Sequence, residues 1–252
     1  MIVVDSGLGG LAVVRALQAA GASCAYLADT AGFPYGHRDP ADINARTMRL
    51  MAAVNAQVKP QTFVLACNTL STLCLASLRE GFAQRFVGTV PAVKVAAAQS
   101  LSRRFTLLAT PNTVDSAYSR QLIAEFAADC RVDRVGAPNL ARLAERHLLG
   151  GAVTDDAWLA EIALAFQDDA QGRTDAVVLG CTHYPLVLAA LERVAPWPVR
   201  WIDSSAAIAR QALAVGGGGS LAVAYVTATA DVARYAALFA REGFAETRAL
   251  IF

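Results

Sequence analysis

Lysine is scarce in this 252-residue chain: 20 of its 22 basic residues are Arg, leaving Lys59 and Lys94 for any chemistry that needs a primary amine. Charge is scarce too, at 17% of residues and a net +1, so neither a nucleic-acid nor an acidic-surface partner is suggested by charge. There are three histidines, His37, His147 and His183, and no CxxC or HExxH spacing, which removes the common zinc patterns. The five cysteines, Cys24, Cys67, Cys74, Cys130 and Cys181, are odd in number and irregularly spaced. With no basic stretch, apolar run and small-residue cleavage site at the N-terminus, they predict reduced thiols in a cytoplasmic protein. One uncharged stretch, Gln211 to Ala230, is long enough to raise the question of a membrane span. Gly216 to Gly219 and Ser220 divide it, and a helix, a loop and a buried strand fit it better.

What is abundant is apolar side chain, 55% of the sequence, enough for a large core and incompatible with disorder as the main state. Short runs rich in Val, Leu and Ile alternate with helical patterns, the signature of a parallel sheet covered by helices. The predicted strands are Met1 to Val4, Cys24 to Ala28, Thr62 to Ala66, Phe105 to Ala109, Arg131 to Val135, Ala176 to Leu179, Val199 to Ile202 and Leu221 to Thr227. One helix face is marked by Leu11, Val14 and Leu17. Further helices are predicted over Ile43 to Gln57, Val114 to Ala128, Asp155 to Gln171, Leu186 to Val194, Ala206 to Val215 and Asp231 to Arg241.

Three strand ends carry polar groups. The first, Asp5-Ser6-Gly7 with Gly9 and Gly10, is a glycine turn into a helix, able to hold an anion or to be a plain tight turn. Its spacing is neither a dinucleotide fingerprint nor a P-loop. The other two resemble each other: FVLACNTLS (Phe63 to Ser71) and VVLGCTHYP (Val177 to Pro185) each end an apolar run with Leu, a small residue, Cys and two polar residues. Carboxyl ends of strands are where open α/β sheets bind ligands, which puts Cys67 and Cys181 in functional positions. A buried structural thiol is the alternative for Cys67, and it is the better account of Cys74, Cys24 and Cys130. His183, two residues beyond Cys181, can take or relay the thiol proton. Two thiols at matched strand ends suit proton abstraction on one face of a carbon and reprotonation on the other, Asp5 assisting one and His183 the other. Ser6, Asn68, Thr69 and Thr182 are suited to stabilise the carbanion. Pyridoxal phosphate would need a lysine; Lys59 lies beside Pro60 in an expected surface turn, leaving Lys94, so a cofactor-free route is favoured.

In these residues the chain resembles the glutamate racemases of bacterial cell-wall synthesis, within the aspartate/glutamate racemase superfamily. The matching blocks are DSGLGGL (Asp5 to Leu11), PYG (Pro34 to Gly36), ACNT (Ala66 to Thr69), VPAVK (Val90 to Lys94), LLATPNTVDSAY (Leu107 to Tyr118), VLGCTHYPL (Val178 to Leu186) and IDSSAAIA (Ile202 to Ala209), in family order. The resemblance implies that Cys67 and Cys181 are the paired acid and base, Cys67 with Asp5 acting on D-glutamate and Cys181 with His183 on L-glutamate. It implies substrate contacts from Asp5, Ser6, Tyr35, Gly36, Asn68, Thr69, Thr182 and His183, further carboxylate contacts from Thr110 and Thr113, and a supporting acid at Glu145, seven residues beyond Pro138. Leu70 and His37 depart from the family's usual residues.

The fold the resemblance implies is two doubly wound α/β domains related by pseudo-symmetry, with the active site in the cleft between them. The first would comprise residues 1–92 plus 207–252 and the second 93–206. The expectation is therefore a cofactor-independent, cytoplasmic, homodimeric enzyme that supplies D-glutamate for peptidoglycan, with no nucleic-acid or membrane partner and no metal. A peptidoglycan-precursor activator belongs to the related subgroup that VPAVK and LAERHL (Leu143 to Leu148) resemble. Two alternatives stand beside it: an enzyme of the same superfamily acting on aspartate or another small acidic or hydantoin-like compound, and a non-catalytic binding protein for an amino acid or a protein partner.

Overall fold

The computed structural model of the protein describes residues 1–170, 172–216 and 222–252. The chain divides into two compact units, Met1–Thr89 with Ser205–Phe252, and Val90–Ser204. Each is α/β, with a parallel main sheet; the strands Ile2–Asp5, Ala25–Ala28 and Thr62–Leu65 of the first and Arg104–Ala109 and Ala176–Gly180 of the second are buried throughout, which is why they are written in the sequence as mainly apolar runs.

The chain enters the first unit through β1 (Ile2–Asp5), α1 (Leu11–Ala19), β2 (Ala25–Ala28), a 3₁₀ turn at Tyr35–His37, α2 (Pro40–Gln57), β3 (Thr62–Leu65), α3 (Asn68–Gly81) and β4 (Arg85–Gly88). Gly10 leads directly into α1, and a Cβ there would lie 2.8 Å from the Tyr26 ring and 2.9 Å from Asp5 Cβ, so the helix can pack this tightly only on a glycine. Asp39 caps α2, accepting from the Ala41 and Asp42 amides ahead of Pro40 in the first turn.

The second unit follows with α4 (Val93–Gln99), β5 (Arg104–Ala109), α5 (Pro111–Val114), α6 (Ala117–Phe126), β6 (Arg131–Gly136), α7 (Leu140–Leu148) and α8 (Asp155–Ile162). It continues with the two-residue strands β7 (Asp168–Asp169) and β8 (Gly172–Arg173), then β9 (Ala176–Gly180), α9 (Leu188–Val194) and β10 (Arg200–Ile202). The chain then returns to the first unit as α10 (Ser205–Val215), β11 (Val223–Val226), α11 (Asp231–Arg241) and β12 (Glu246–Ala249).

Among the described residues, the first sheet has the order β12-β11-β2-β1-β3-β4 and the second β10-β9-β5-β6. Every pairing in both is parallel. In the first sheet the winding reverses at β1, with β2 on one side and β3 on the other. In the second it reverses at β5, between β6 and β9. Ligands of doubly wound sheets bind beyond the carboxyl ends of the strands at such reversals. The residues just past β1 and β3, and just past β5 and β9, include Ser6, Cys67, Thr110 and Cys181.

The eight expected strands over described residues form, with ends shifted by a residue or two; Leu221 of the last lies outside the described residues. The edge strands β4 and β12 were not expected from the sequence. The helix expected over Asp155 to Gln171 is shorter: α8 stops at Ile162, a 3₁₀ turn spans Ala163–Ala165, and the β7–β8 hairpin follows, Gln171 lying outside the described residues. The buried Arg104 accounts for this. Its guanidinium is held by Asp133 at 2.9 Å, Asp169 at 2.7 Å and the Gly172 carbonyl at 2.7 Å, so the hairpin supplies partners that a continued helix would carry away. Leu70 is fully buried in the first unit's core. No helix among the described residues is long and apolar enough to cross a membrane.

Candidate active site

In the first unit Asp5 closes β1 and is fully buried. Its Oδ1 accepts the Gly7 amide at 2.8 Å, which folds the turn back on the carboxylate. The Ser6 hydroxyl lies 3.5 Å from that oxygen, and the Cys67 sulfur 3.9 Å from the Ser6 hydroxyl. These distances are long, as hydrogen bonds in unliganded catalytic sites often are, but their directions form a chain from thiol through hydroxyl to carboxylate. Ser6 thus joins Asp5 to Cys67. Cys67 sits at the N-terminus of α3, where peptide dipoles attract negative charge. Asn68, next in the chain and 2% exposed, has neither its amide nitrogen nor its oxygen hydrogen-bonded. Leaving both ends of a buried amide unmade costs about 1–3 kcal/mol each, so this side chain is arranged for a ligand.

Tyr35 and Gly36, in the 3₁₀ turn, are buried as well. Their anchor is Asp29, one residue past β2, which accepts the Tyr35 hydroxyl, both Nε and Nη2 of Arg46 at 2.6 Å each, and the Thr227 hydroxyl at 2.6 Å. Burial holds the Tyr35 phenol well above its usual range, and the charges of Asp29 and Cys67 push the same way against Arg46. Tyr35 therefore keeps its proton, and Asp29 holds it.

In the second unit Cys181 follows β9. A Cβ on the preceding Gly180 would come within 2.8 Å of Ala109 Cβ and 2.9 Å of Leu107 Cδ1, so glycine is what lets this strand end lie so close on β5. Cys181 Sγ is 3.7 Å from His183 Nδ1, and His183 Nε2 is 3.0 Å from Glu145 Oε1, with His183 1% and Glu145 5% exposed. A carboxylate at Nε2 fixes the proton there, so the neutral ring turns its lone pair at Nδ1 toward the sulfur. Glu145 rides on α7, whose start is held by Glu161: that carboxylate accepts the Asn139 and Leu140 amides at 2.8 and 3.0 Å and the Asn139 side chain at 3.0 Å. The hydroxyls of Thr110 and Thr113, past β5, lie 3.0 Å apart, and Thr182 is buried beside Cys181.

The structure thus gathers Asp5, Ser6, Tyr35, Gly36, Cys67, Asn68 and Thr69 at the strand ends of the first unit. Thr110, Thr113, Glu145, Cys181, Thr182 and His183 gather in the second. Asp29, Arg46, Thr227, Glu161 and Tyr184 were missed in the sequence. Asp29 left a signal, since Ala28-Asp29-Thr30 ends an apolar run as Val4-Asp5-Ser6 does. Of the remaining thiols, Cys24 and Cys74 are pushed up to about 11 by burial, as suits inert packing residues. Among the described residues no cluster of His, Cys, Asp and Glu could hold a metal ion.

The family described as Asp/Glu/hydantoin racemase matches residues 11–212. A glutamate racemase of Sinorhizobium medicae is 47% identical over 215 residues, covering 84% of this chain and 79% of that one. A crystal structure of Escherichia coli glutamate racemase, in complex with L-glutamate and the activator UDP-MurNAc-Ala, superposes with a TM-score of 0.90 at 34% identity, covering 99% of this chain and 98% of that one. A glutamate racemase isoform of Bacillus anthracis shares the fold at 22% identity, with a TM-score of 0.82 over 100% of this chain and 96% of its own.

Proposed function

The chain belongs to the Asp/Glu/hydantoin racemase family, and from that premise we propose that it interconverts L- and D-glutamate with two thiols and no cofactor, supplying D-glutamate for peptidoglycan. The observation that carries this reading is that each cysteine at a parallel strand end has its own proton-handling chain: Cys181 has His183 and Glu145, Cys67 has Ser6 and Asp5.

In the L-to-D direction, the Cys181 thiolate takes the α-proton and becomes a thiol, with the imidazole of His183 beside it. The Cys67 thiol delivers a proton to the opposite face of the α-carbon and becomes the thiolate. The reverse direction exchanges the roles. Between the two steps the carbanion's charge falls on the substrate carboxylate, for which the unpartnered Asn68 amide and the Thr69, Thr110, Thr113 and Thr182 hydroxyls are suited donors. The cofactor-free form of the reading is supported by the lysines. The Lys94 ammonium is exposed and stands 5.3 Å from the Phe126 ring centre, and Lys59 occupies a turn with φ of 50°.

The test is solvent exchange in deuterated water. Wild-type protein is expected to wash deuterium into the α-position of both glutamate isomers and to racemise them, and Cys67→Ser or Cys181→Ser to lose racemisation. Unchanged exchange and racemisation in both variants would refute the assignment, and faster turnover of aspartate than of glutamate would move the substrate within the family. Cytoplasmic location, a homodimer and activation by a peptidoglycan precursor complete the reading. Cell fractionation, light scattering and turnover with a UDP-linked muramyl amino acid added are their respective measurements.

A further inference from the structure

Tyr184 is completely buried in the second unit, and its hydroxyl has no hydrogen-bond partner. A phenol kept dry and unbonded costs about 1–3 kcal/mol, so its position calls for an explanation. Its own amide donates to the Cys181 carbonyl at 3.1 Å, which curls the turn so that the two residues belong to one loop of chain. Burial raises the phenol well above its usual range, and the Cys181 charge, the Glu161 charge and a hydrogen-bonding interaction with Cys181 act the same way. The hydroxyl thus stays protonated, and the Cys181 sulfur is among the groups that bear on it. Glu161 is occupied by the Asn139 and Leu140 amides and the Asn139 side chain at the start of α7.

A protonated phenol facing a thiol meets a weak acceptor and gains little. Facing a thiolate it makes a charge-assisted hydrogen bond, and the orphaned donor is satisfied. We propose that Tyr184 stabilises the Cys181 thiolate by a hydrogen bond from its hydroxyl to the sulfur, a second support beside His183. The inference rests on Cys181 being the base in the reading above.

The first unit offers a contrast. Tyr35 also feels the charge of Cys67, but its proton is committed to Asp29. Among the groups bearing on Cys67 are that phenol, Asp5 through Ser6, and the start of α3; among those bearing on Cys181 are His183, Glu145 behind it and Tyr184. A donor held by a carboxylate and a donor held by nothing else bias the two sulfurs differently, and the second favours charge.

The experiment is Tyr184→Phe, which keeps the ring and removes the orphan hydroxyl. Substrate-free enzyme is treated with iodoacetamide across a pH series, and modification of each cysteine-containing peptide is followed by mass spectrometry. Alkylation of Cys181 should slow about tenfold at neutral pH, the weight of one hydrogen bond to a charged group, and should approach the wild-type rate at alkaline pH, where a thiol ionises without help. Cys130, partly exposed and far along the chain, serves as the control and should be unaffected. An unchanged Cys181 rate overturns the proposal, and so does a slowing of equal size at every pH, which would report access to the sulfur. Where the variant does not fold, wild-type protein labelled with ¹³C at the tyrosine ζ carbon gives a second readout. The Tyr184 resonance should follow the ionisation of Cys181, and that step should vanish in Cys181→Ser; its persistence overturns the proposal. Neither readout uses turnover, so absence of glutamate racemisation in the wild type would refute the functional reading while the thiol measurement still decides the role of Tyr184.

Discussion

Replacing Asp29 by Ala removes a carboxylate on which four side-chain hydrogen bonds converge: two from Arg46, one from Tyr35 and one from Thr227. Asp29 is fully buried and the Arg46 side chain is 18% exposed, so the variant leaves a guanidinium largely out of water without its counter-charge. Breaking such a pair from one side costs about 3–5 kcal/mol. Arg46 keeps the Phe252 ring at 4.9 Å and some access to solvent, which points to the lower end, about 3 kcal/mol. At about 2–4 °C per kcal/mol for a chain of this size, the melting temperature should fall by about 6–12 °C. The decisive comparison is with Asp29→Ala/Arg46→Met, because deleting both charges removes the stranded one. The double variant should recover at least half of the loss in a calorimetric or circular-dichroism melt. A double variant no more stable than Asp29→Ala would refute the account of an unpaired charge. The same variant frees Tyr35 from its anchor, so KM for glutamate should rise more than kcat falls; an unchanged KM would detach Asp29 from the placement of that turn.

Glu145→Gln replaces a carboxylate 3.0 Å from His183 Nε2 with a neutral amide, and kcat should drop about tenfold. Because the two glutamate isomers have equal free energy, kcat/KM must fall by the same factor in both directions, and progress curves from each isomer check both statements. Gly180→Ala drives a Cβ into Ala109 and Leu107 beside Cys181; it should cost about 1–3 kcal/mol in denaturant titrations and lower turnover with it. The buried thiols predict alkaline destabilisation. Cys24 and Cys74 move from 9.0 to about 11 on folding, so between these values the unfolded chain has released protons that the folded one retains. Their contribution is intact below pH 9 and is lost as pH rises toward 11, by at most about 2–3 kcal/mol each. Cys24→Ala/Cys74→Ala should therefore show a flatter melting temperature over that interval than the wild type.

The fold was legible in the sequence wherever a strand is buried on both faces. Ile2–Asp5, Thr62–Leu65 and Ala176–Gly180 are fully buried, and a short, mainly apolar run is what such a strand demands. Edge strands carry a weaker signal. Glu246–Ala249 alternates charged and small residues because one face of it is exposed and the other only half-buried, and nothing in ETRA distinguishes it from a loop. The hairpin after α8 escaped for another reason: helical periodicity runs through Ala163–Ala165, and what ends it is the distant Arg104, a tertiary demand without local trace. In the site, the cysteines and their immediate neighbours could be read because strand-end position and chemistry coincide. Glu145 could be placed only through family spacing, since α7 is brought to His183 by packing.

The same distinction explains how a nearly neutral protein can be suited to an acidic substrate. Its buried carboxylates Asp5, Asp29 and Glu145 face inward to protein donors: the Gly7 amide, the guanidinium of Arg46 and the ring of His183. Each is thereby fixed as an acceptor. The donors suited to a substrate carboxylate are neutral, an unpartnered amide at Asn68 and hydroxyls at strand ends, and they add nothing to net charge. A neutral donor also has little pull on an anion in the open solvent, so binding should depend weakly on ionic strength. Between about 0.05 and 0.5 M salt, KM for glutamate should change less than threefold, because short-range hydrogen bonds from buried donors are not screened as exposed charges are. A steep rise in KM over that range would show that an arginine carries the recognition instead.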